Sequence, residues 1–162
     1  MTGFPPSPYY TGLNTPLGEE YDLVDLDIEG TIPPEVEGAF FRATPDPAYP
    51  PFMPDNAAAL SGDGMISALR LKDGKASFSM RFVQTARYRA EQAAGEALFG
   101  IYRNPFTDKP EANGVDRTVA NTTPVWHGGK LLMTKEDGHP YRIDPHTLDT
   151  LGSYDFGGKL KA

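Results

Sequence analysis

The chain has 162 residues, of which 39% are hydrophobic, 11% aromatic and 23% charged, and it carries a formal net charge of −7 with no cysteine. That balance supports one domain-sized core and excludes a disordered chain, and the acidic surplus leaves no basic stripe for nucleic acid or anionic membranes. Without cysteine there are no disulfides and no thiolate metal sites, which favours a cytoplasmic location; no apolar run is long enough to span a bilayer, and the opening MTGFPPSPYYTG has neither a basic nor an apolar signal region.

Glycine and proline, 17 and 16 residues, punctuate the chain into short runs of strand length. Residues 1–22 read as a Pro-rich leader. LVDLDIEG (23–30) then alternates apolar and acidic positions, and GTIPPEVEGAFFRA (30–43) leads through a turn into a second strand. SGDGM (61–65) has too few glycines and the wrong flanks for a phosphate loop, so its glycines permit a sharp entry into a hairpin, and Asp63 reads as a solvated or backbone-capping turn acid. The hairpin pairs MISALRL (65–71) with ASFSMRFV (76–83) across Lys72-Asp73-Gly74-Lys75, a sequence suited to a tight primed turn. ARYRAEQAAGEAL (86–98) is the one helical stretch, interrupted by Gly95.

From Val119 the period is clearest. VANTTPVWHGG, KLLMTKEDG, HPYRIDPHT and LDTLGSYDFGG read as four consecutive antiparallel strands joined by short turns, one propeller blade near 117–158. Trp126 falls among the apolar positions of its strand and reads as blade packing, and Asn121 as a residue that satisfies local backbone groups. Blades are typically ~40 residues and a propeller needs roughly 4–8, so the expected fold is an all-β propeller of which this chain carries an N-terminal part. A small stand-alone β-sandwich is the weaker alternative.

LLMTKEDG (131–138) poses a chemical question, because an apolar strand ends in Lys135 and Glu136. Strand alternation puts the two charges on opposite faces. On the residues alone they read as a strand end reaching solvent, with Lys135 extending its stem past Met133.

GTIPPEVEGAFFRATPDP, SGDGMISALRLKDGKASFSMRFVQT and ANTTPVWHGGKLLMTKEDGHPYRIDPHTLDTLGSYDFGGKL together resemble the opening of the carotenoid oxygenase family, non-haem iron dioxygenases built on a seven-bladed propeller. The resemblance runs from about Leu23 to the end of the chain. GEALFGIYRNPFTD (95–108) with MTKEDG (133–138) is most similar to the lignostilbene dioxygenase branch, whose members split the central double bond of hydroxylated stilbenes into two aldehydes. The resemblance implies Fe(II) as cofactor and O2 as co-substrate. It also implies that Tyr102 and Lys135 grip the substrate's phenolic hydroxyl as catalytic and substrate-binding residues, and that Glu136 is a carboxylate that orients an iron-ligating His from behind.

Two departures from the family pattern follow. Ala59 and Leu60 stand where branch members often carry an aromatic pair, leaving Leu60 as an aliphatic substrate contact or ordinary core. None of His127, His139 and His146 matches one of the family's four iron-binding His, and turn or surface roles are expected for all three. Residues 23–162 are accordingly read as the N-terminal portion of one catalytic domain that stops before the first iron His, inert by itself. Cleavage of a carotenoid or apocarotenoid, and a non-catalytic propeller binding fragment, are the rival readings; the expected partner is a small phenolic stilbenoid, and a homodimer is left open.

Overall fold

The computed structural model describes residues 3–53 and 58–161. Two four-stranded antiparallel sheets carry the fold. The first contains β1 (Tyr21–Leu23), β2 (Gly38–Pro45), β3 (Gly64–Lys72) and β4 (Lys75–Phe82), in the spatial order β1-β4-β3-β2. The second is a meander of β5 (Pro124–His127), β6 (Lys130–Met133), β7 (Tyr141–Ile143) and β8 (Thr150–Ser153), in sequence order. These are the four consecutive antiparallel strands expected after Val119.

The hairpin forms because Asp73 and Gly74 both take left-handed backbone, φ 50° and 72°, as a type I′ turn requires. Lys72 and Lys75 pair directly across it. A short helix α1 (Ala58–Ser61) precedes β3, and α2 (Ala86–Ala94) follows β4. The Thr85 hydroxyl caps α2 by accepting the Tyr88 amide, and Gly95 ends it in the left-handed conformation at φ 71°, so the expected interruption is a C-terminal stop.

Ile66, Ala68 and Val83 from the first sheet and its end pack with Leu131, Met133, Tyr141 and Ile143 from the second. The two sheets therefore share one core. Polar stitches reinforce the seam: the Gly64 amide donates to the Val119 carbonyl at 2.9 Å, the Gln84 amide to Thr150 Oγ1 at 2.9 Å, and the Ala86 amide to the Tyr141 hydroxyl at 3.0 Å. Met65, Met80 and Phe82 face Tyr88 of α2, whose ring stacks on Phe82 at 4.8 Å.

Two expectations need correcting. Trp126 is 61% exposed, because β5 is an edge strand and the indole projects into an open groove beside Phe41 and Arg70. The leader boundary at 22/23 falls inside β1, and the leader is itself tied down, since the Leu17 and Gly18 amides donate to the Asp46 carboxylate at 2.9 and 2.8 Å. No helix among the described residues is long and apolar enough to cross a membrane.

Candidate functional site

β6 ends at Met133, and the chain leaves the sheet before the two charges of KEDG. Strand alternation therefore does not govern Lys135 and Glu136. Instead of parting to two faces, the Lys135 ammonium and the Glu136 carboxylate meet at 3.3 Å. Their environments differ sharply: the Lys135 side chain is 1% exposed and that of Glu136 55%. Lys135 does not reach past Met133 to solvent; its Nζ turns inward, donating to the Leu60 carbonyl at 3.0 Å, and lies 5.0 Å from the centre of the Tyr102 ring.

Tyr102 is held by the loop that follows α2. The Arg117 guanidinium grips the Asp108 carboxylate through two bonds, at 2.8 and 2.9 Å, and donates to the Ile101 carbonyl at 3.1 Å. The Ile101 amide donates to Thr107 Oγ1 at 2.8 Å. Gly100 is required by close approach, since a Cβ there would lie 2.4 Å from that same hydroxyl. Burial first, and then the Asp137 carboxylate, push the Tyr102 hydroxyl above its usual range, so it is a donor at neutral pH.

Leu60, Tyr102 and Lys135, singled out from three separate stretches, line one cavity of about 20 Å³ together with Arg87, Arg117 and Asp137. That volume takes one water-sized atom. Leu60 is 46% exposed and so is a wall of the opening rather than core; the side chain of Ala59 lies outside the described part. Glu136 accepts from Thr122 Oγ1 at 3.2 Å, and its carboxyl is held below the usual range by its own backbone amide and by Lys135.

The histidines are dispersed. His127 meets the Phe156 ring edge-on at 5.8 Å, His139 Nε2 lies 3.0 Å from the Leu160 carbonyl, and the His146 amide donates to Asp144 in a turn. Among the described residues no three His, Asp or Glu side chains converge to hold a metal. The residues present therefore do not fit an iron centre by themselves, and no step through iron is assigned to them.

Residues that sequence reasoning passed over complete the site. Arg87 reaches from α2 to Glu91 at 3.4 Å and to Asp63 at 4.0 Å, and Glu91 accepts the Leu98 and Phe99 amides at 2.9 and 3.2 Å. Asp63 is not solvated: it is 3% exposed. It does cap backbone, accepting the Ala48 amide at 3.0 Å, while its Oδ1 has no hydrogen-bond donor. No sequence pattern announces that an acid in a glycine turn will be covered by α2.

Burial pushes the Asp63 carboxyl up to about 6, against the pull of Arg87. The unfolded chain would hold that proton only up to about pH 3.9. The folded state thus binds it more tightly, and the stability this group contributes is complete below about pH 4 and lost as pH rises through about 6. The difference is up to about 3 kcal/mol. Asp63→Asn is expected to flatten this segment of the stability curve, read as the difference in urea midpoints between variant and native protein from pH 4 to 7; parallel curves would refute it.

Residues 14–162 match the model of the family described as retinal pigment epithelial membrane protein, and the chain belongs to this, the carotenoid oxygenase family. Its fold is that of the family's propellers. Over 159 residues, 98% of this chain, it is 45% identical to resveratrol cleavage oxygenase 1 of Chaetomium globosum, covering 27% of that protein. Over 155 residues, 94% of the chain, it is 47% identical to isoeugenol monooxygenase of Pseudomonas putida, covering 32% of it. The crystal structure of Pseudomonas brassicacearum lignostilbene dioxygenase superposes on the whole chain with a TM-score of 0.93 at 40% identity, and 34% of that structure is covered. The chain thus spans about a third of the length of the relatives it matches.

Proposed function

We propose that this chain forms the N-terminal part of an oxygenase that cleaves the central C=C bond of a 4-hydroxystilbenoid with O2, giving two aldehydes, with Fe(II) as the cofactor of the whole protein. The observation that carries the reading is the buried Lys135 ammonium. It has three donors and, among the described residues, two acceptors, the Leu60 carbonyl and the Glu136 carboxylate. A phenol oxygen in the small cavity supplies the third. Resveratrol, isoeugenol and lignostilbene, for which the relatives are named, are all phenols conjugated to a C=C bond. A polyene hydrocarbon gives such an ammonium nothing to bind.

The chain's own residues then bind and polarise. A phenol has a pKa near 10, and an ammonium a few ångströms away lowers it by ~1–3 units, sending electron density along the conjugated bridge to the alkene. Tyr102 stays protonated, and its single O–H, which the Asp137 carboxylate accepts in this structure, turns to the phenol oxygen when the substrate is bound. Leu60 offers an apolar wall without the aromatic stacking increment of ~0.5–1.5 kcal/mol. Oxygen activation would come from iron held elsewhere in the whole protein, where Glu136 would steady one of the His ligands. The cavity accommodates the phenol oxygen, while a drug-sized ligand needs roughly 300–1,000 Å³. The absence of cysteine supports a cytoplasmic site of action.

The test is to express the full-length protein anaerobically with ferrous iron, then measure bound iron and aldehyde release from a 4-hydroxystilbene. Iron with aldehyde is expected. Iron without aldehyde would overturn the substrate class, and neither would overturn the enzyme reading.

A further inference from the structure

Asn121 is a buried polar residue beside the clamp that the reading above does not use. Its amide nitrogen donates to the Gly62 carbonyl at 2.7 Å and to the Leu60 carbonyl at 3.3 Å. These partners are 59 and 61 residues away, so the expected local role is replaced by a bridge to the segment that leads into β3. The Leu60 carbonyl is also the acceptor for Lys135 Nζ at 3.0 Å. One amide therefore grips both ends of the Leu60–Gly62 segment that ends α1, whose first carbonyl anchors the ammonium.

The backbone that presents Asn121 is itself constrained. Ala120, fully buried, sits at φ 48°, a left-handed conformation unfavourable to a residue with a Cβ. The same stretch abuts Gly64, where a Cβ would lie 2.4 Å from the carbonyl oxygens of Val119 and Ala120. The backbone that carries Asn121 cannot shift towards the first sheet without closing on Gly64.

We propose that Asn121 is a positioning residue that sets the place of the Lys135 ammonium by holding the Leu60 carbonyl, and with it the Leu60 side chain at the mouth of the cavity. This rests on the phenol-clamp reading. Without the amide, the buried Gly62 carbonyl loses its donor, the segment relaxes, and the ammonium follows its anchor away from the phenol. Charge-assisted bonds are short and directional, so a small displacement is costly to binding.

The test uses the full-length protein and two readouts: KM and kcat for a 4-hydroxystilbene, and the absorbance titration of the bound phenol against pH. Asn121→Ala is expected to raise KM about tenfold and to move the bound phenol's titration to higher pH, with a smaller change in kcat. In a Lys135→Met background the same substitution should add no further change, which a merely structural role would not produce. Asn121→Leu keeps nearly the same volume, cannot donate and adds no charge, and gives the same shift if the alanine variant does not fold. Retention of KM and of the titration in a folded Asn121 variant, while Lys135→Met loses them, would overturn the positioning role. So would an equal effect in both backgrounds. If Lys135→Met itself leaves the titration unchanged, the clamp reading has failed first, and the role of Asn121 falls with it.

Discussion

Lys135→Met in the full-length protein is expected to cut kcat/KM for a 4-hydroxystilbene by at least about 100-fold, the loss of a hydrogen bond from a charged donor together with the phenolate character it induces. Bound iron should be unchanged. The variant is chosen because the fold has little reason to notice it. Methionine fills nearly the same volume, the Leu60 carbonyl keeps its bond from Asn121 at 3.3 Å, and Glu136 is already half in solvent. Removing one member of an ion pair is costly when it leaves the other charge buried; Glu136 keeps its solvent, so the thermal midpoint should move little. Activity within a few-fold of native, in a folded and iron-loaded variant, would dismiss the clamp.

Gly64→Ala is expected to destabilise the protein by at least about 3 kcal/mol. The reason is space. The new Cβ would stand 2.4 Å from both the Val119 and Ala120 carbonyl oxygens, and both are backbone. Neither can give way cheaply. The Gly64 amide is bonded to that Val119 oxygen at 2.9 Å, its carbonyl accepts the Val83 amide at 2.7 Å, and Ala120 already sits at φ 48°. Urea unfolding of the variant measures the loss; a midpoint within experimental error of native would show that the two sheets can slide apart at this point without cost.

Much of the fold was legible in the residues because its signals are local. Asp73-Gly74 dictates a primed turn, and the strand edges on either side follow within a residue or two. The four strands after Val119 are separated by turn residues that leave few pairings open, and they form in sequence order. What was not legible depends on contacts between distant segments. Lys135 and Glu136 were assigned to opposite faces because nothing in LLMTKEDG says that pairing stops at Met133. Asp63 reads as a solvated or backbone-capping acid, and its burial is hidden because the helix that covers it lies more than twenty positions later. Asn121 looked local because its partners lie across the seam. The grouping of Tyr102, Lys135 and Leu60 came through family resemblance, and the geometry brings those residues to one cavity; their roles remain for the experiments above.

The seam between the sheets has a consequence beyond stability. Leu60 leads into the first sheet, Lys135 leaves the second, and Tyr102 rides the loop after α2, so the cavity exists only once the two halves have docked. A half-folded chain has the residues but no binding place. Under the proposed clamp, ligand and folding would be thermodynamically linked: a phenol bound there would pull the docking equilibrium towards the closed form. Such a ligand would be a stitch across the two sheets, and its affinity would carry within it a reading of how completely they have come together.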